Sequence, residues 1–387
     1  MDYMKQLLVF CAWFFLLVSA FAQTLYFPDT GWQVRSPAAL KMSKALLDSA
    51  VQLAQRSENK YDRDLRIALY KSYANEPDYQ ILGPTKERGG PAGLIIKDGY
   101  IVAQWGDVQR VDMTFSVTKS FLSTTAGLAV QEGLIRNVTD KVNRYVWDHH
   151  FTGAHNSKIT WEHLLNQSSD WSGTLFGIPD WADRPPKEGT IDDWKNRKLN
   201  EPGTFYKYND VRVNLLAYSL LQVWRQPIPV VLKEKIMDPI GASTTWRWYG
   251  YDNSFVNVDG LMMQSVSGGG HFGGGLFINT LDMARFGLLF LRNGKWKNQQ
   301  LLSDQWIRAA RQPSPTNKNY GYLWWMNTDQ QWKDVAPSVF YAAGAGGNYI
   351  VVDQEHDLLV VVRWMDDSKM GALMSLVKQA LTVHPGR

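Results

Sequence analysis

The run Gly93-Leu94-Ile95-Ile96-Lys97-Asp98-Gly99-Tyr100-Ile101-Val102-Ala103-Gln104-Trp105 sets two apolar stretches on either side of Asp-Gly. That is the strongest short-range signal for a β-hairpin. A second hairpin is expected far downstream, where Tyr349–Asp353 and Leu358–Trp364 flank Gln354-Glu355-His356-Asp357. Short turns imply antiparallel pairing, so the two ends of the chain should build one antiparallel sheet. Between them the texture changes, and residues 140–260 carry short helical pieces and loops dense in Trp, Pro, Asp and Gly.

Apolar spacing predicts helices over residues 39–56, 210–224, 229–237, 282–291 and 369–383. Thr160 caps a further short helix, and residues 320–326 and 339–342 read as strands. The stretch before Arg88-Gly89-Gly90-Pro91 is charged and reads as a polar connector. The expected fold class is α+β: an antiparallel sheet flanked by N- and C-terminal helices, with a mostly helical inserted lobe. Residues 23–139 and 261–387 would form the sheet lobe and residues 140–260 the insertion, with a cleft between them suited to a site.

The first 22 residues read as an export signal. Lys5 supplies positive charge, Leu7 to Ala20 is apolar, and Ala20-Phe21-Ala22 offers a cleavage pattern before Gln23. The apolar stretch falls short of the roughly 20 residues that span a bilayer, which disfavours an uncleaved anchor. The bulky Phe10 before the sole cysteine, Cys11, disfavours a lipoprotein. A periplasmic or secreted protein with no lasting membrane anchor is therefore expected. Cys11 would leave with the signal, so disulfides, thiol catalysis and cysteine–metal sites are excluded from the mature chain. A dispersed net charge of +4 gives no case for a nucleic-acid partner.

Three segments carry candidate chemistry. Ser-x-x-Lys occurs at Ser57/Lys60, Ser116/Lys119 and Ser375/Lys378, but only the middle pair opens an apolar helix, through Phe121, Leu122, Leu128 and Ala129. On a helix, that spacing puts the hydroxyl and the amine on one face. Ser116 could then be a nucleophile activated by Lys119. Pro202-Gly203-Thr204-Phe205-Tyr206-Lys207-Tyr208-Asn209-Asp210 holds an aromatic hydroxyl just before a helix start. Gly344-Ala345-Gly346-Gly347-Asn348 leads into a strand, where missing side chains let a substrate approach backbone N–H groups.

In this order, Ser116-x-x-Lys119, Tyr208-x-Asp210, Gly273-Gly274-Gly275-Leu276-Phe277-x-x-Thr280-x-Asp282-Met283-Ala284-Arg285-Phe286 and Gly346-Gly347 make the chain resemble the serine β-lactamase and D,D-peptidase superfamily over about residues 90–365. The likeness is to its class C-like branch, which also holds esterases, D-amino-acid amidases and nylon-oligomer hydrolases. The resemblance implies Ser116 as the acylated nucleophile, Lys119 as its proton partner and Tyr208 as the second acid or base. It implies an oxyanion hole from the backbone N–H groups of Ser116 and Asn348.

Two departures stand out. Asp210 replaces the usual Asn, and could pair with protonated Lys119 and shift base work to Tyr208. Ala345 stands where β-lactamases carry the lysine of Lys-Thr-Gly, which argues for uncharged esters or amides over penicillins and peptidoglycan.

Trp171, Phe176, Trp181, Trp324 and Trp325 are candidates to line an acyl or amine pocket, and His271 to reach the cleft or to stabilise its turn. His149, His150, His155 and His163 lack a recognised metal spacing, and Gly-x-Ser-x-Gly is absent. No cofactor or metal is expected. The reading is an exported serine hydrolase of small esters or amides, against a β-lactamase or D,D-peptidase, or a non-catalytic binder of the same fold.

Overall fold

Asp98 and Gly99 both take positive φ, 54° and 87°, as a tight two-residue hairpin turn requires. They join the first two strands of the principal sheet in a computed structural model that describes residues 25–382. The export signal proposed for residues 1–22 lies outside the described residues. No helix among the described residues is long and apolar enough to cross a membrane.

In chain order the elements that position the site are α1 (Lys44–Arg56), α2 (Leu65–Tyr73), β1 (Ala92–Lys97), β2 (Tyr100–Trp105), β3 (Asp112–Met113), α3 (Thr118–Gln131) and α4 (Asp210–Trp224). There follow β4 (Arg247–Val258), β5 (Leu261–Val266), β6 (Gly275–Ile278), α5 (Thr280–Leu291), β7 (Trp325–Met326), β8 (Phe340–Gly344), β9 (Asn348–Asp353), β10 (Leu358–Arg363) and α6 (Met370–Thr382). The principal sheet has the order β7-β8-β9-β10-β1-β2. Every pair is antiparallel, and β1 meets β10 with Ile95 opposite Val360. The expected α+β architecture, a sheet built from both ends of the chain, is what the structure has.

Both faces of the sheet are covered, so its central strands are apolar throughout rather than alternating in polarity. Ile95, Val351, Val360 and Val362 pack with Leu47, Ala50, Leu373 and Val377 of the two terminal helices. Leu94, Ile96, Ile350 and Leu359 point the other way, into the larger core around α3, α4 and α5. There Phe121 stacks on Phe286 with centroids 3.7 Å apart, fixing the Ser116 helix against α5. This alternation is the period-two geometry of a strand.

A second sheet, β3-β6-β4-β5, lies beside the first. Its long β4–β5 hairpin runs from Arg247 to Val266, so a boundary at residue 260 would cut through it. The charged stretch before Arg88 is not merely a connector, because it contains α2, which buries Leu65, Ala68 and Leu69.

Candidate active site

Ser116 sits in a short 3-10 turn, Phe115–Val117, that runs directly into α3. Phe115 takes φ +49°, an unusual region for an aromatic residue. Its ring is wedged edge-on against Tyr61 and Trp364, which holds it there. Thr114 and Thr118 pin the turn to β6, the first donating its hydroxyl to the Leu276 carbonyl at 3.0 Å and the second accepting from the Leu276 N–H at 3.0 Å. The seryl side chain is half-buried at the mouth of this turn. The N-terminus of a helix leaves backbone N–H groups unpaired, and Ser116 N–H has no backbone acceptor among the described residues.

One helical turn on, Lys119 donates to Ser116 Oγ at 2.9 Å. It also forms an ion pair with Asp210, and the two side chains are only 2 % and 1 % exposed. Burial alone would lower the Lys119 pKa, but the Asp210 carboxylate, with Tyr208 beside it, outweighs burial and holds the ammonium above its ordinary value. Burial would likewise raise Asp210; the charges of Lys119 and Arg184 reverse that and hold it well below the usual carboxylate range. The pairing anticipated from the Asp-for-Asn replacement is present.

Asp210 opens α4 behind an Asn209 cap, whose side chain accepts from Arg212 N–H at 3.0 Å. The preceding segment is clamped by Gln167, which accepts from Lys207 N–H through its carbonyl and from Asn209 N–H through its side chain. This clamp aims Tyr208 at the lysine, with Lys119 Nζ 4.7 Å from the ring centroid. The ring stacks on Trp325 at 5.8 Å and meets Tyr320 edge-on. Gly269 closes the back of the cluster; a Cβ there would lie 1.9 Å from Asp210 Oδ1 and 2.2 Å from Lys119 Nζ.

Arg184, which the sequence did not single out, completes the cluster. It lies in a loop at φ +49°, and its Nη1 is 2.8 Å from Asp210 Oδ2 and paired with Asp183. Burial would lower its pKa, but Asp183 and Asp210 raise it further above its ordinary value. Asp183 also accepts the N–H of Asp210 at the start of α4. Nothing in Asp183-Arg184-Pro185-Pro186 marks it beforehand, since its placement depends entirely on tertiary contacts.

The remaining predicted residues divide. His271 is buried behind Asp210 rather than lining the opening: its Nε2 is 2.6 Å from Glu76 Oε2 and its Nδ1 4.0 Å from Asp210 Oδ2. Trp171 is a correction. It is 1 % exposed, donates to the His150 carbonyl at 2.7 Å and belongs to the large core. Trp324 is also core, whereas Trp325 touches Tyr208.

On the late hairpin, the residue beside Ser116 is Gly344. A Cβ on it would lie 2.1 Å from the Thr114 carbonyl oxygen and 3.1 Å from Ser116 N. Gly346 and Gly347 instead pack against Trp364 and the Met365 backbone. Asn348 is fully buried as the cross-strand partner of Gly344, its side chain donating to the Ala345 carbonyl at 2.7 Å and accepting from Arg363. Ala345 is half-buried, and its N–H has no backbone acceptor among the described residues.

Two groups, Asp148–His149–His150 and Glu76–Asp183–His271, each bring three potential metal-ligand atoms within 4.8 Å of one another. In the second, His271 is engaged by Glu76, and Asp183 by Arg184 and α4.

A hydroxyl beside a buried ammonium opens a helix packed among α4, α5 and the antiparallel sheet, and the family match makes the chain a hydrolase of the serine β-lactamase superfamily. The chain belongs to the Beta-lactamase family, whose sequence profile matches residues 85–371. It is similar to a candidate D-alanyl-D-alanine carboxypeptidase of Salmonella agona (strain SL483), 21 % identical over 70 % of this chain and 77 % of that protein. Among solved structures it shares its fold with a β-lactamase/D-alanine carboxypeptidase from Pseudomonas syringae, at 14 % identity and a TM-score of 0.56. That match covers 89 % of this chain and 100 % of the other. It shares the fold equally with EstCE1, a hydrolase with promiscuous acyltransferase activity, at 14 % identity and a TM-score of 0.57, over 88 % and 99 % of the two chains.

Proposed function

We propose that the chain is an exported serine hydrolase that forms an acyl-enzyme on Ser116 and passes the acyl group to water, acting on small esters or amides. The observation that carries this reading is the 2.9 Å hydrogen bond from the buried Lys119 ammonium to Ser116 Oγ. A lysine kept protonated by Asp210 cannot itself remove the serine proton. It orients the Oγ lone pairs and stabilises the negative charge that develops there.

The proton then leaves through Tyr208. Its hydroxyl accepts the Ser116 proton while handing its own to the leaving oxygen or nitrogen, as Oγ bonds to the carbonyl carbon and the leaving-group bond breaks. In deacylation water takes the place of the leaving group and the relay runs back. Such positioned proton transfer contributes about 10²–10⁴-fold.

We assign the oxyanion hole to the N–H groups of Ser116 and Ala345, in place of Asn348. Both lack a backbone acceptor, and Gly344 brings the end of β8 up to Ser116. Donors aimed at developing charge are each worth about 10²–10³-fold.

A second reading, a β-lactamase or D,D-peptidase, is favoured by the name of the Salmonella agona relative. Against it, Ala342-Ala343-Gly344-Ala345 offers no lysine in any register near Ser116. Steady-state rates on 4-nitrophenyl esters, short amides and a chromogenic cephalosporin, each with Ser116→Ala as control, separate the readings. Ester or amide turnover that the control abolishes is expected, and fast cephalosporin turnover would reverse the ranking.

A further inference from the structure

Arg184 carries more hydrogen-bonding capacity than the protein uses. Its contacts to Asp183 and Asp210 both run through Nη1. Nε and Nη2 have no acceptor among the described residues, are not sealed from solvent, and belong to a side chain that is 30 % exposed. Those two N–H groups form one edge of the guanidinium fork, the geometry that takes a carboxylate through two parallel hydrogen bonds.

The group is also held in place. Its Cζ lies 5.2 Å from the Tyr208 centroid and 5.7 Å from that of Tyr73. The Arg184 backbone N–H donates to Glu76 at 3.2 Å. A single carboxylate, that of Asp210, separates it from Lys119 and hence from Ser116. Ser116, Tyr208 and Arg184 are the partly exposed members of this cluster.

We propose that Arg184 is a substrate-binding residue whose free Nε and Nη2 edge takes a carboxylate carried by the ester or amide substrate, a few bonds from the scissile carbonyl. This deepens the hydrolase reading above and rests on it. The expectation of an uncharged substrate comes from the late strand alone; the Arg184 cation comes from a different segment, the loop that brings it to Asp210 and the Tyr208 ring. Asp183 and Asp210 balance the charges of Arg184 and Lys119, so selection comes from the fork geometry rather than from net charge.

The test compares 4-nitrophenyl hydrogen glutarate with its methyl ester, which has the same skeleton but no charge. The wild-type protein should favour the acid by about tenfold or more in kcat/KM, chiefly through KM. Arg184→Lys keeps a cation between Asp183 and Asp210 but loses the planar edge, and should bring the ratio down several-fold. Arg184→Gln should bring it to about one.

A wild-type ratio near one with both esters hydrolysed, or a ratio unchanged in Arg184→Lys, would overturn the assignment and leave the hydrolase reading standing. If neither ester is turned over, calorimetric titration of the Ser116→Ala protein with glutarate and with glutaramide decides. Glutarate binding that Arg184→Lys weakens supports the site, and equal binding of the two ligands refutes it.

Discussion

The carboxylate of Asp210 lies against the ammonium of Lys119 with both side chains almost wholly out of water. Neither ionised group would be tolerable there alone, because an isolated buried charge costs many kcal/mol. Together, with Arg184 on the second carboxylate oxygen, they hold each other in their charged forms.

Replacing Asp210 with Asn should remove the largest influence holding Lys119 protonated and leave burial and the Arg184 charge opposed by Tyr208 alone. Stability should fall by about 3–5 kcal/mol, the cost of breaking a buried pair from one side. The pH–rate profile should gain an ionisation well below the ordinary lysine value of ~10.4 that the wild type lacks. Chemical denaturation and kcat/KM against pH check the two effects separately.

The wild-type protein should show the converse. Asp210 is lowered, so its contribution is present above an unfolded value of ~3.9 and is lost as pH falls through the folded one. Lys119 is raised, so its contribution is present below ~10.4 and is lost as pH rises through its folded value. The pair's share of stability should therefore be flat across the neutral range, measured as Tm against pH, and a slope that vanishes in Asp210→Asn would count against this.

Tyr208→Phe keeps the ring stacked on Trp325 and removes only the hydroxyl. The expected loss is at least ~10²-fold in kcat with little change in Tm. Near-normal turnover would mean that the proton takes another path.

Gly344→Ala places a methyl group against the Thr114 carbonyl and the Ser116 amide. Overpacking of this kind costs about 1–3 kcal/mol, and the displaced strand end should cost ~10²-fold or more in kcat through the oxyanion donors. Unchanged kinetics would mean that Ala345 N–H plays no part.

Trp171→Phe should act on stability alone. Losing the hydrogen bond to the His150 carbonyl and some core volume should cost about 1–2 kcal/mol, while KM for every ester stays as it was. A large KM change would return this residue to the substrate pocket.

What was legible in the sequence was local. The Asp98-Gly99 turn, the late hairpin and the Ser116/Lys119 spacing each depend on residues within a few positions of one another. Helix α2 was hidden because only Leu65, Ala68 and Leu69 turn inward from a charged segment. The β4–β5 hairpin was hidden because Phe255, Leu261 and Met262 face solvent and break the alternation. At the site, Tyr208 and Asp210 could be read from the turn into α4 and from the family motif it carries. Arg184, and the neighbourhood of Gly344 rather than Gly347, follow only from how distant loops and strand ends meet.

The most direct test of the central claim is covalent labelling with a fluorophosphonate, read by intact mass and peptide mapping. One adduct on Ser116 is predicted, absent in Ser116→Ala and much slower to form in Tyr208→Phe. A folded wild-type protein that stays unlabelled, or one labelled at another residue, would contradict the account.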